Sequence, residues 1–261
     1  MPKFAANLTM LFTELPFMQR FEAAAKAGFK GVEYLFPYPF EKKELAAALR
    51  ANGLEQVLHN LPAGDWDKSE RGIACHPDRT GEFAEGIGVA IDYATALGCP
   101  QVNCLVGKVP AGVDRDAAHK TVVANLRLAA RELEAAGLRL LIEPINTFDI
   151  PGFFLTRTDQ ALALIDEVGS ANLRVQYDIY HAQRMEGELG NTLSKNLARI
   201  GHIQLADNPG RGEPGTGEIN YPWLFRHIDS LGYDGWIGCE YKPRATTVEG
   251  LGWRQALTQQ Q

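Results

Sequence analysis

None of the 261 residues belongs to an apolar run that approaches the length of a bilayer span, so an integral membrane protein is not expected. Basic residues are outnumbered, with 26 Lys and Arg against 32 Asp and Glu. The resulting net charge of −6 gives no cationic field that would gather nucleic acid or an anionic membrane. Cysteine is scarce. Cys75, Cys99, Cys104 and Cys239 are too widely spaced for a CxxC redox or zinc motif and fall in or beside apolar stretches, so they read as reduced, buried thiols. Low-complexity tracts are missing, and only the terminal Gln259-Gln260-Gln261 reads as a disordered end. Met1 to Asn7 opens on a strand-like pattern without the apolar run and cleavage site of a signal peptide; the expected address is the cytoplasm.

What is present is a regular alternation. Hydrophobic residues make up 45% of the chain, enough for a sizeable core, and short Val-, Ile- and Leu-rich runs alternate with longer segments of helical period. Eight strands are expected: Phe4 to Leu8, Gly31 to Leu35, Leu54 to Asn60, Gln101 to Leu105, Arg139 to Glu143, Leu173 to Asp178, His202 to Ala206 and Trp236 to Glu240. Between them, helices are expected over Pro16 to Lys26, Lys42 to Ala51, Gly81 to Leu97, Asp114 to Ala136, Thr158 to Val168, Leu189 to Ala198 and Tyr221 to Leu231. Several end at a glycine placed to cap the helix, among them Gly53 and Gly98. Eight βα units in one chain of this length predict an α/β fold, a (β/α)8 TIM barrel in which residues 1–261 form a single catalytic domain. The longer polar loops, 61–80, 144–157 and 208–220, fall on the side where such a barrel keeps its chemistry.

Four late strands run from apolar residues into a polar side chain: Glu143, Asp178, Gln204 and Glu240, spaced 35, 26 and 36 residues apart, about one βα unit each. Singly, each passes as a solvated strand end. Together, consecutive parallel strands of a closed barrel would aim them at one centre. Three carboxylates cannot be buried side by side without a counter-charge, and a hard, oxygen-rich set of this kind suits one divalent ion, Mg²⁺ or Mn²⁺. His202 alternates with Gln204 on one strand face and is the alternative fourth ligand; Gln204 is preferred, because Asp207, in Asp-Asn-Pro-Gly, suits a turn. His181, three residues after Asp178, sits at the same mouth, where a neutral imidazole can donate to a substrate oxygen. Lys242 shares a face with Glu240 and reads as a carboxylate-binding cation or a solvated lysine.

Longer segments carry a resemblance: Leu58-His-Asn-Leu-Pro-Ala-Gly-Asp-Trp66, Glu143-Pro-Ile-Asn146, Tyr177-Asp-Ile-Tyr-His181, the stretch from Asn208 to Tyr221, and Gly238-Cys-Glu-Tyr-Lys-Pro243. The chain resembles the hydroxypyruvate isomerase family of xylose-isomerase-like barrels over nearly its whole length. That resemblance implies Glu143, Asp178, Gln204 and Glu240 as metal ligands, with Glu143 and Glu240 doubling as the acid/base pair. It also implies interconversion of hydroxypyruvate and 2-hydroxy-3-oxopropanoate through an enediolate, a reaction of glyoxylate metabolism. Ketose epimerases of the superfamily usually place a histidine where this chain has Gln204, and endonuclease IV needs further histidines for three zinc ions; both rivals are disfavoured. An isomerase of a four-carbon acid such as a 2-oxo-tetronate stays open, while a non-catalytic sugar-binding protein would be expected to break the carboxylate quartet. The substrate's carboxylate calls for a cation, with Lys242, Arg211 and Lys108 as candidates in that order. The 61–80 loop is expected to close over the site, with Trp66 either its apolar lid or a packing residue. Partners other than this small hydroxy-carbonyl acid are not indicated, and a homo-oligomer remains open.

Overall fold

In a computed structural model that describes residues 2–258, the eight strands are β1 (Lys3–Asn7), β2 (Gly31–Glu33), β3 (Glu55–Asn60), β4 (Gln101–Cys104), β5 (Arg139–Ile142), β6 (Leu173–Asp178), β7 (Ile200–Leu205) and β8 (Trp236–Cys239). Every neighbour pairs in parallel, and β1 closes the ring on β8 with Phe4 opposite Ile237. The expected barrel is therefore the observed one.

The strands form because their residues are buried on both faces. In β5, Leu140, Leu141 and Ile142 are all fully buried, each stabilising the fold by about 1.5–3 kcal/mol relative to exposure. Leu141 points into the lumen, where it meets Ala5, Val57 and Leu58, with Trp236 packed against them. Its neighbours point outward to the helices. The helices around the barrel are α1 (Arg20–Lys26), α2 (Lys42–Asn52), α3 (Thr80–Leu97), α4 (Arg115–Ala135), α5 (Thr158–Val168), α6 (Ile179–Met185), α7 (Leu189–Asn196) and α8 (Tyr221–Ser230). Two short C-terminal helices follow, α9 (Thr247–Gly250) and α10 (Trp253–Thr258). α4 shows the logic: Ala118, Val122, Leu126, Ala129, Ala130 and Leu133 make one buried stripe, and the Asp114 side chain caps the start by accepting from the amides of Asp116 and Ala117.

Several boundaries differ from expectation for local reasons. The Pro16 to Lys26 segment begins as a 3-10 turn, Phe17–Gln19, before α1. The segment from Leu189 tightens into a second such turn at Leu197–Arg199. β7 starts two residues early, at Ile200, because Gly201, which falls at a register shift against β6, masks the strand pattern. α6, α9 and α10 carry too few residues for a periodic signal and were not expected. The four cysteines are buried and unpaired, as their apolar settings implied. Among the described residues no helix is long and apolar enough to cross a membrane.

Candidate active site

Side chains near the C-terminal ends of the strands line a cavity of about 420 Å³, and the strands supply mostly polar ones: Asn7, Glu33, Asn60, Glu143, Gln176, Gln204 and Glu240. Glu143 and Glu240 lie one residue past β5 and β8, and Asp178 ends β6. Asp178 owes its placement to α6, because its Oδ1 accepts the amide protons of Tyr180 (2.7 Å) and His181 (3.4 Å) as the cap of that helix. This leaves Oδ2 facing His181 Nε2 at 3.6 Å and Arg211 Nη2 at 3.5 Å.

The electrostatics are those of an acidic trio with one cation. Burial, then the charges of Glu240 and Asp178, push the Glu143 carboxyl well above the usual range. Burial likewise raises Asp178, against the pull of Arg211. It pushes Glu240 up to about 8, again with Arg211 opposing. Burial works against the charge of Arg211, yet Glu240, Asp178 and Glu143 together hold its guanidinium protonated beyond the usual arginine range. Arg211 Nη2 stands 3.0 Å from Glu240 Oε2. Its backbone sits at a left-handed φ of 57°, which costs a non-glycine residue about 1 kcal/mol. Asp207 shapes this loop by accepting the amides of Gly215 (2.8 Å) and Ile219 (3.1 Å), the turn role its sequence context suggested.

His181 is held in one tautomer. The Asp149 amide donates to Asn146 Oδ1 at 2.9 Å, which turns the Asn146 Nδ2 toward His181 Nδ1 at 2.6 Å. The Asn146 backbone amide donates to the same nitrogen at 3.4 Å. Nδ1 therefore accepts and Nε2 carries the proton, directed at Asp178 and at Glu143 Oε1, 3.8 Å away. Burial, then Arg211, drives the imidazole pKa well below its usual value, so the ring is neutral. Ligand atoms of Glu143, Asp178 and His181 lie within 4.8 Å of one another, a spacing suited to a metal ion. A lone pair on His181 Nε2 would require the other tautomer, which the Asn146 donors oppose.

Of the residues singled out from sequence, Glu143, Gln204, Glu240, His181, Arg211 and Lys242 line the cavity, and Asp178 stands directly behind it. Lys242 is exposed, with its amide bonded to the Arg211 carbonyl. One expectation needs correction, and one alternative falls away. Lys108 does not line the cavity, because its backbone is committed to a bridge with Phe153 and its carbonyl to the Cys75 thiol. His202 does not compete with Gln204, because its Nε2 is bonded to Glu33 Oε2 at 2.7 Å. Gln204 itself donates to Glu33 Oε1 (2.7 Å) and accepts from Gln176 (2.6 Å), which leaves Oε1 one lone pair.

Three contributors were missed. Glu33 closes a three-residue strand, too short to signal, and accepts from Asn7, His202 and Gln204. Asn146 and Arg71 sit in loops, where no periodicity marks a functional residue, although Asn146 stands in the Glu143-Pro-Ile-Asn146 segment.

Comparison with known proteins agrees with the fold. The family model described as xylose isomerase-like TIM barrel matches residues 21–257. Over 253 residues the chain is 60% identical to the hydroxypyruvate isomerase of Escherichia coli K12, covering 97% of this chain and 98% of that protein. It is 51% identical to the 2-oxo-tetronate isomerase of Cupriavidus necator, covering 97% of each. A crystal structure of an AP endonuclease, family 2, from Brucella melitensis superposes with a TM-score of 0.96 at 44% identity, over 98% of this chain and 99% of that one.

Proposed function

This chain belongs to the xylose isomerase-like TIM-barrel family, and we propose that it interconverts hydroxypyruvate and 2-hydroxy-3-oxopropanoate, in the cytoplasm and within glyoxylate metabolism, as one catalytic domain spanning residues 1–261. The observation that carries the reading is the convergence of Glu143, Asp178 and Glu240, all buried, around a cavity with Arg211 between two of them. Three carboxylates against one guanidinium leave an excess of buried negative charge, which a divalent cation would balance. Glu143, Asp178, Gln204 and Glu240 would hold it, all of them hard oxygen donors suited to Mg²⁺ or Mn²⁺. When bound, such an ion supplies Lewis acidity that draws charge onto the substrate's oxygens.

The protein's own groups move the protons. One of Glu143 and Glu240 takes the proton from C3 of hydroxypyruvate, and the C–H electron pair forms the C2–C3 double bond of an enediolate. The C3 hydroxyl proton passes to the oxygen on C2, and the same glutamate or its opposite number returns a proton to C2. His181, with its proton on Nε2, donates to the substrate oxygen that bears the charge in passing.

A four-carbon 2-oxo-tetronate is the second reading, favoured by the Cupriavidus necator relative and by a cavity with room beyond three carbons. Endonuclease action is disfavoured, because a net charge of −6 and an acidic mouth repel a polyanion. Turnover of the three- and four-carbon acids by metal-loaded protein, before and after chelation, tests the proposal. Hydroxypyruvate activity is expected to vanish with chelator and to return with Mg²⁺ or Mn²⁺. Full activity in chelated protein would overturn the metal's part, and no turnover of either acid would overturn the whole reading.

A further inference from the structure

We infer that Arg71 receives the substrate's carboxylate and thereby makes this site select acids over neutral ketoses; the inference rests on the isomerase reading above. Arg71 lines the same cavity as Glu143, Glu240 and His181. Its guanidinium lies 3.8 Å from the centre of the Trp66 ring, and its Nη1 donates to the carbonyls of Trp66 (3.0 Å) and Glu70 (2.6 Å). Among the described residues, its Nε and Nη2 have no hydrogen-bond partner and no carboxylate stands at ion-pair distance. Those two N–H groups share one edge of the planar fork, the edge that takes both oxygens of a carboxylate.

The backbone on either side is pinned, so the fork is oriented before a ligand arrives. Glu70 is paired with Arg79 at 2.7 Å and accepts the Asp65 amide at 2.6 Å. Gly72 donates its amide to Ala63 at 2.9 Å. With φ at +112°, a Cβ on Gly72 would fall 1.9 Å from the Leu105 carbonyl oxygen, so only glycine lets the loop approach that closely. The other cations at the mouth are poorer candidates. Arg211 is already neutralised by Asp178 and Glu240. Lys242 is exposed, and among the described residues no comparable set of contacts orients its ammonium. Trp66 thus serves as the platform for a cation, a role more specific than lid or packing residue.

The test uses metal-loaded wild type, R71Q and R71K, the last keeping charge and much of the volume. Hydroxypyruvate is compared with dihydroxyacetone, a neutral ketose that undergoes the same shift. Binding is measured by calorimetry with pyruvate, which keeps the carboxylate but lacks the C3 hydroxyl and cannot react. In R71Q, pyruvate affinity and hydroxypyruvate kcat/KM are expected to fall about 10–100-fold more than dihydroxyacetone kcat/KM, mostly through KM, with partial recovery in R71K. Equal losses on the acid and the neutral ketose, or unchanged pyruvate binding in R71Q, would overturn the assignment. If R71Q loses pyruvate while the wild type isomerises neither compound, Arg71 is upheld and the isomerase reading fails. If wild type and R71Q both isomerise hydroxypyruvate equally well, the isomerase reading stands and Arg71 falls.

Discussion

The first four strands bury Asn7, Glu33, Asn60 and Asn103 in or beside the cavity, while the last four place Glu143, Gln176, Asp178, Gln204 and Glu240 there. Both halves bury carboxylates, but they treat them differently. Glu33 is boxed in by Asn7, His202 and Gln204, three donors for one charged group. Of the three late carboxylates, Asp178 and Glu240 share Arg211 as ion-pair partner, and Asn103 reaches Glu143 from the early half, at 3.1 Å. A buried charge whose hydrogen bonds are complete is a scaffold element, whereas a cluster left with excess charge marks where a ligand or a proton is handled.

The widest gap between the halves is expected in turnover. Glu143→Gln and Glu240→Gln should each lower kcat by about 10²–10⁴-fold, the scale of a lost general acid or base. Glu33→Gln, which weakens the hydrogen bonds from Asn7, His202 and Gln204, should instead show its main effect in thermal unfolding, at about 1–3 kcal/mol, with a smaller loss of turnover through Gln204. Near-normal kcat in either late variant, or a loss in Glu33→Gln as deep as theirs, would erase the distinction.

A second contrast lies between two buried histidines. His181 is held by Asn146, whereas among the described residues neither ring nitrogen of His59, on β3, has a partner at good hydrogen-bond geometry, the Ala90 backbone offering a weak contact. Burial lowers the pKa of His59 to about 4 from the 6.5 expected of an open chain. The unfolded chain takes up this proton below pH 6.5 and the folded protein only near pH 4, so stability is lost as pH falls through that window. The loss is on the order of 3 kcal/mol. Glu240, with its pKa raised, acts with the opposite sign, binding its proton more readily when folded. The readout is therefore the difference between wild type and His59→Phe in denaturant titrations from pH 7 to pH 4, and parallel curves would refute the assignment.

The smallest effect sharpens how the halves fit together. A Cβ at Gly238 on β8 would meet the Glu33 carboxylate at 2.3–2.5 Å. Gly238→Ala is expected to cost about 1–3 kcal/mol as overpacking, lowering the unfolding midpoint by a few degrees. Gly88→Ala in α3, where among the described residues nothing beyond the helix's own backbone lies within 4 Å of the added carbon, should be neutral or slightly stabilising. Equal midpoints for the two variants would mean that Glu33 yields and that its box is loose.

The barrel and its late carboxylates were legible because burial imposes a pattern along the chain. A strand covered on both faces must be apolar, so a charge at the end of Leu140-Leu-Ile142 or Ile237-Gly-Cys239 stands out against its neighbours. Glu33 obeys the same rule but closes a strand of three residues, too few to reveal it. Loops carry no such period. Nothing local distinguishes Arg71, oriented by Trp66 and Glu70, from Lys108, held away from the cavity by Phe153.

Chain order and hydrophobic pattern were enough to specify eight βα units and the mouth at which Glu143, Asp178, Gln204 and Glu240 gather, because both follow from which side chains avoid water. The proton position on His181, the pairing of Arg211 with Asp178 and Glu240, and the free edge of Arg71 depend on distances of a few ångströms between residues far apart in the chain. Hydrogen bonds and ion pairs act only at such range and direction, and closure of the ring is what sets them.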